Sequence, residues 1–338
     1  MPKPIQNPPN PFESRHIEWL GPPPAARVQV FEEQARQILS ENDSPDLPFR
    51  WSLNPYRGCF HACSYCYARR THEYLGFGAG SDFESRIVVK VNAVERLRAS
   101  FEKKSWRGEV LALSGNTDCY QPLEACYELT RGILEVCRDY RNPVEIVTKG
   151  ALIRRDIDVL RELSELAFVR VWISLAFANP AMARAMEPQA PGPRVRLEAI
   201  EALASAGIRV GVITAPLIPG LNDSDVPEIL ERARRAGASA ASTSLLRLPG
   251  NVMPVFLDRL RVAFPDRAEK VQSLLRQEHG GELRDSRFGF RGTGEGERWR
   301  SSEQLFRVTA RRLGFDGHRD EIPNTFRRPG PKQALLFE

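Results

Sequence analysis

The chain has 338 residues, 42% of them hydrophobic and 27% charged, with a formal net charge of +5. That length and composition support a sizeable core in one large or two ordinary domains and exclude a globally disordered chain. No apolar run approaches the roughly 20 residues of a membrane helix. The opening "MPKPIQNPPNPFESRH" lacks the apolar centre of a signal peptide, so a soluble, cytoplasmic protein is expected.

Residues 1–25 carry eight prolines and no periodic pattern, and are expected to form an extended or disordered tail. Residues 26–50 read as an N-terminal extension, in which "ARVQVFEEQARQILSEN" predicts a strand followed by a helix. From residue 50 short apolar runs alternate with amphipathic ones. "RWSLNPY" predicts a strand that feeds a cysteine-rich loop, and "SRIVVKV" another, followed by a helix in "NAVERLRASFEKK". "EVLALSG" predicts a strand with a helix over 122–140 after it. "VEIVTKG" precedes a helix over 156–166, "FVRVWISLAF" one over 194–206, and "IRVGVITAPLI" one over 225–236. "SAASTSLLRL" is the last predicted strand, with a helix starting near Met253.

Near-continuous apolar strands alternating with helices predict a parallel α/β sheet covered by helices. With "SRIVVKV" set aside, six β–α units remain over 51–265. Six are too few for an eight-fold barrel and fit either a partial (β/α)6 barrel of the TIM type or a doubly wound sheet. Residues 266–323 read as a C-terminal helical extension, with a helix over 301–313 after the Gly-rich "FGFRGTGEGE", and 324–338 as an extended tail. Between residues 284 and 332 twelve Lys or Arg stand against seven Asp or Glu, a surplus equal to the whole net charge. Such a segment suits an anionic partner such as nucleic acid, or is simply a solvated basic surface.

"NPYRGCFHACSYCYARRTHEY" places Cys59, Cys63 and Cys66 in a C-x3-C-x2-C spacing. In a reducing compartment such a group favours metal or redox chemistry over disulfides. Structural zinc needs four ligands; His61 or His72 would have to complete the set, because no second C-x2-C exists. Ordinary buried thiols are the plain alternative. The third reading is a [4Fe–4S] cluster, which normally takes four cysteines, so that three leave one iron open to a substrate or cofactor.

"CFHACSYC" resembles the signature of the radical SAM superfamily, C-x3-C-x-φ-C with φ aromatic. With "NPYRGC", "MEPQAPGPRVRLEAI" and "IPGLND", the chain over about residues 26–330 resembles the spore photoproduct lyase-like branch, in proteins termed DNA repair photolyases. The resemblance implies a partial (β/α)6 barrel and a cluster held by Cys59, Cys63 and Cys66. It implies S-adenosylmethionine bound at the open iron, and a one-electron donor of flavodoxin or ferredoxin type. It places cofactor contacts at Asn116, Thr117 and Asp118, at Lys149, at Ser174 and at Ile213, with Tyr65 packing beside the adenine. The same polar residues would also serve as turn, cap or solvated loop positions. Glu187 and Arg196 are expected to form an ion pair that shapes the loop after the fourth strand.

Of the other cysteines, Cys126 and Cys137 lie 11 residues apart on one predicted helix, roughly 16 Å along its axis, too far to share a cluster; both are expected in the core. Cys119 sits near the expected cofactor. True spore photoproduct lyases return hydrogen from a cysteine that the resemblance aligns with Asn116, so Cys119 is either a displaced hydrogen donor or a small packing residue. Finally, Gln333, Leu336 and Phe337 match the Q-x-x-L-F core of sliding-clamp peptides, and "ALLF" could equally pack on the barrel. Two function classes follow: a radical SAM enzyme acting on a substrate the sequence does not name, with nucleic acid, in repair or modification, the favoured candidate, and a DNA- or clamp-associated protein with a structural or sensory cluster.

Overall fold

A computed structural model describes residues 7–12, 28–47, 49–284, 287–315 and 321–330. The N-terminal extension forms β1 (Gln29–Glu33) and β2 (Leu39–Glu41). The helix expected after β1 does not form. Instead β2 pairs antiparallel with β3 (Trp51–Leu53), with Leu39 opposite Leu53, while buried Ile38 anchors the segment in the main core. A stretch this short cannot repay helix nucleation, whereas a sheet edge supplies backbone partners at once.

After β4 (Tyr56–Arg57) come α1 (Arg69–Glu73), α2 (Ser81–Ser85) and β5 (Arg86–Lys90). β1, β5 and β4 make a small separate sheet in that order, so "SRIVVKV" lies outside the main array. Next are α3 (Ala93–Glu102) and β6 (Leu111–Leu113). The helix predicted over 122–140 is two helices, α4 (Glu124–Tyr127) and α5 (Leu129–Asp139), broken at Glu128 with φ 51°. The cause is the fully buried Glu124, whose carboxylate accepts from the Thr130 amide at 3.0 Å and so caps α5 from outside its own helix. The break separates the two cysteines: Cys137 is buried as expected, but Cys126 is exposed on α4 and is not a core residue.

The chain continues with β7 (Val144–Thr148), α6 (Ile157–Leu166), β8 (Val169–Ser174), α7 (Pro180–Met186) and α8 (Pro193–Ser205). β9 (Arg209–Ile213), α9 (Val226–Arg235), β10 (Ala240–Ser242), α10 (Val252–Ala263), α11 (Pro265–Glu278) and α12 (Glu297–Arg312) complete it. The main sheet runs β10-β9-β8-β7-β6-β3-β2, parallel throughout except for β2. From β3 to β10 each strand is added on the same side of the last. No point of reversal exists, which favours barrel-type winding over a doubly wound sheet. Leu111, Leu113, Val144, Ile146, Val171 and Val212 fill the sheet's buried face. Among the described residues no helix is long and apolar enough to cross a membrane.

Residues 321–330 carry no helix or strand and lie across the ends where the strands begin. The Arg327 amide donates to Tyr140 O at 2.8 Å, and Phe326 packs on Phe101 and Tyr140. Gln333, Leu336 and Phe337 lie outside the described residues.

Trp172 of β8 lies flat against Gly211 of β9, where a Cβ would stand 2.3 Å from the indole ring. Gly211→Ala should therefore cost about 1–3 kcal/mol through overpacking, seen as a lower melting temperature. Adding Trp172→Leu should recover part of that loss; an unchanged melting temperature for the single variant would refute this account of the packing.

Candidate functional site

Neighbouring strands end in register: Leu53 pairs with Leu113, Thr148 with Ile173, Ser174 with Ile213, and Ile213 with Ser242. The loops that follow them share one edge of the sheet. Sequence-predicted residues from five segments, the cysteine loop, 114–118, Lys149, Ser174 and Ile213, are brought together there.

The cysteine loop leaves β4 through Gly58, at φ +78°, where a Cβ would press within 2.9 Å of Phe83 O. The Cys59 amide donates to that same carbonyl at 2.9 Å. Buried Arg69 then gathers the loop. Its Nε donates to Cys63 O at 2.9 Å, Nη1 to Ala79 O and Gly80 O, and Nη2 to Ala62 O and the Glu84 carboxylate. From the sheet side, fully buried Gln121 accepts from the Phe60 amide at 3.0 Å and donates to Gly58 O at 3.2 Å. From above, Ser64 N donates to Met186 O at 2.9 Å and Gln189 N to His61 O at 3.2 Å. Sequence reasoning missed Arg69 and Gln121; only the placement of Arg69 three residues after the last cysteine hinted at the former.

Cys59 and Cys63 are buried, Cys66 is half-buried, and none of the three is in a disulfide. Burial pushes all three thiols up, Cys63 to about 12, and neighbouring sulfurs push Cys59 and Cys63 up further. Three soft donors are thus held close, with Arg69 near Cys66 and Lys149 near both Cys63 and Cys66 as compensating cations. Among the described residues no group of three or more His, Cys, Asp and Glu converges on a single-ion site. His61 Nδ1 faces Asp118 Oδ2 at 3.2 Å. His72 lies between the rings of Phe77 and Phe83, and burial lowers it to about 4. Neither completes a zinc set, whereas three thiolates on separate irons suit the donor set.

The other predicted residues divide into two groups. Thr117 and Asp118 have their side chains engaged inside the protein. Thr117 donates to Tyr56 O at 2.6 Å. Asp118 accepts from Thr148 Oγ1 at 2.6 Å, Lys149 N at 2.8 Å and Tyr120 N at 2.9 Å. Burial alone would raise this carboxyl, but His61 and these donors hold it well below the usual range. Asp118 thereby ties the cysteine loop to the ends of β6 and β7. Asn116 is half-buried, its amide donating to Thr71 Oγ1 at 2.9 Å. Ser174 is buried at the end of β8, its carbonyl taken by Arg196 at 3.0 Å, and Ile213 is half-buried at the end of β9.

The Tyr65 hydroxyl donates to Glu187, which also receives Arg196 in the expected ion pair. Lys149 Nζ sits 4.0 Å from Glu187 Oε1 and 5.7 Å from the centre of the Tyr65 ring. Burial alone would lower this ammonium, but Cys63 and Glu187 raise it. Cys119 is 1% exposed within the main hydrophobic cluster, with its carbonyl taken by Thr130 Oγ1 at 2.7 Å. That is the placement of the packing alternative, not of a thiol presented to a substrate.

The family model of the radical SAM superfamily matches residues 53–233. Uncharacterised proteins of Mycobacterium tuberculosis and Mycobacterium bovis are 40% identical over 233 residues, 68% of this chain and 68% of each relative. An uncharacterised protein of Methanocaldococcus jannaschii is 28% identical over 198 residues, 59% of this chain and 71% of its own. Among solved structures, spore photoproduct lyase aligns with a TM-score of 0.61 at 15% identity, over 84% of this chain and 79% of the lyase. A lyase variant solved with bound AdoMet and dinucleoside spore photoproduct gives 0.61 at 16% identity, over 84% and 78%. At these identities the likeness is one of fold.

The Glu187–Arg196 pair offers a direct test of how the site is held. Both side chains are at most 1% exposed, so Glu187→Gln strands a buried guanidinium and should cost about 3–5 kcal/mol. Glu187→Gln with Arg196→Met should recover much of the loss. Chemical denaturation measures both, and equal stability of wild type and single variant would show that the pair does not brace this loop.

Proposed function

This chain belongs to the radical SAM superfamily, and we propose that it is an enzyme that takes a hydrogen atom from a nucleic-acid substrate, in repair or modification. Superfamily members use a [4Fe–4S] cluster with S-adenosylmethionine and need an electron donor. The observation that carries the reading is the three-thiol loop set at the in-register ends of a parallel sheet, beside Lys149, whose Nζ stands 4.0 Å from the Glu187 carboxylate. Bound there, the cluster and S-adenosylmethionine would supply the one-electron chemistry that abstracts hydrogen from a substrate.

The chain's own residues bind, orient and shield. Cys59, Cys63 and Cys66 would hold three irons and leave the fourth to the amino and carboxylate groups of S-adenosylmethionine. Lys149 would neutralise that carboxylate, and half-buried Asn116 would meet the amino group. Ser174 and the Ile213 backbone would meet the ribose and adenine, with Tyr65 fixed below them by Glu187. Thr117 and Asp118 act one step back, as positioning residues. Nucleic acid is supported by the basic C-terminal segment and by the shared fold of a lyase solved with a dinucleoside photoproduct. Reversal of that same photoproduct is disfavoured on this reading, because the resemblance aligns Asn116 with the lyases' hydrogen-returning cysteine and Cys119 is buried in the core.

The test is anaerobic reconstitution with iron and sulfide, reduction by dithionite, and measurement of 5′-deoxyadenosine from added S-adenosylmethionine. Wild type should form it and Cys63→Ala should not. Lys149→Ala should keep its iron and bind S-adenosylmethionine about tenfold more weakly, as removal of one charge-assisted hydrogen bond predicts. A fully loaded protein that forms no 5′-deoxyadenosine, with or without nucleic acid, would point to a sensory or structural cluster.

A further inference from the structure

Beside the cysteine loop a cavity of about 560 Å³ opens between α1, residues 247–251 after β10, the chain at 9–12 and the loop around Arg291. Arg70, Arg247 and Arg291 line it. Arg291 is paired with Asp46 at 3.1 Å. Among the described residues, neither Arg70 nor Arg247 makes a hydrogen bond or a direct ion pair. Glu73 also lines the cavity, but it is buried and its carboxylate takes the Asn251 amide at 2.6 Å. Arg247 is half-buried; burial lowers its pKa, Arg291 and Arg70 lower it further, and Asp46 and Tyr67 raise it. Two forked cations thus face the cavity, exposed Arg70 with Glu73 as its nearby anion and half-buried Arg247 with Asp46, and both guanidinium forks keep donors for a bound anion.

Exposed aromatic rings border the same region. Tyr67, next to Cys66, is 47% exposed and is held by its hydroxyl on Gly115 O at 2.7 Å; Arg247 is close enough to act on it electrostatically. Phe288 and Phe290 are 61% and 42% exposed, with the guanidinium groups of Arg291 and Arg287 lying 3.5 Å and 4.5 Å from their ring centres. Arginines that can grip phosphates, beside exposed rings that each carry a guanidinium on one face and leave the other for a base, form the pattern by which unpaired strands are bound. A base-paired duplex would leave those faces unused.

We infer that this cavity is a subsite for an unpaired nucleic-acid strand, in which Arg70 and Arg247 hold backbone phosphates, Phe288 and Phe290 stack bases, and Tyr67 borders the passage to the cysteine loop. The inference rests on the proposed function and names the form of its substrate.

The test is fluorescence anisotropy of the cluster-loaded full chain with a labelled single-stranded DNA oligonucleotide, titrated over a series of salt concentrations. Removing one arginine–phosphate pair should flatten the log–log salt dependence by about 0.7. Arg70→Gln/Arg247→Gln should therefore flatten it by about 1.4, with binding weakened at least tenfold at low salt. Phe288→Ala/Phe290→Ala should weaken binding by about thirtyfold or more with the slope unchanged, as loss of two stacking contacts predicts. Should the double arginine variant lose iron or melt early, Arg247→Gln alone decides, with an expected flattening of about 0.7. A folded arginine variant with wild-type slope and affinity overturns the subsite, as does a duplex of the same sequence bound as tightly as the strand. Formation of 5′-deoxyadenosine by the same wild-type preparation separates the two ideas. Radical formation with arginine-independent binding sinks the subsite alone, and arginine-dependent binding without radical formation sinks the enzyme reading alone.

Discussion

One buried guanidinium holds the cysteine loop in shape. Arg69 is fully buried, and taking its charge out of water costs several kcal/mol unless every proton finds a partner. All five of its N–H donors do: four meet carbonyls of the loop and of the turn before α2, and the fifth meets Glu84. A lysine could not make this arrangement, because a single ammonium cannot span four separated carbonyls in one plane. The loop has no regular secondary structure to satisfy its backbone, so the side chain supplies those partners instead. With Gln121 beneath and Met186 above, the loop is fixed from three directions before any metal is bound.

The charges around the loop follow from the same constraint. Buried thiols resist ionisation, as the raised values of Cys59, Cys63 and Cys66 show, so binding metal must displace their protons. Arg69 and Lys149 lower the cost of the thiolates that result. Their own charges are balanced by Glu84 and Glu187. Glu187 in turn answers to Arg196 and Tyr65, and Asp118 to His61 and the Lys149 amide. The ions form a connected set that spans four strand ends, which is why single polar residues there cannot be assigned to a ligand merely because they are polar.

The same connectivity limits what is legible in the sequence. The cysteine spacing, the strand rhythm and the Glu187–Arg196 pair are all readable, because each rests on short-range pattern or on a motif. Thr117 and Asp118 are not separable from Asn116 by sequence: three successive polar residues differ only in where the backbone aims them. The break at Glu128 is invisible because its cause is a buried carboxylate, four residues earlier, shared with Tyr56 and Arg155. The second strand of the N-terminal extension depends on an edge that the chain supplies only ten residues later. Arg69 and Gln121 act through carbonyls and amides, which leave no trace in composition or periodicity.

The fold also separates what must be rigid from what can vary. Residues proposed to meet the cofactor stand on strand ends or on a loop pinned by buried hydrogen bonds, and their positions are set by sheet register. The arginines and rings of the adjoining cavity stand on α1, on the segment after β10 and on the loop around Phe288, none of which belongs to the main sheet. Side chains there can change without disturbing the register that aligns Lys149, Ser174 and Ile213. On the proposed reading, a site built this way keeps one cofactor-binding core while the cavity-lining residues change, since the two draw on different parts of the chain.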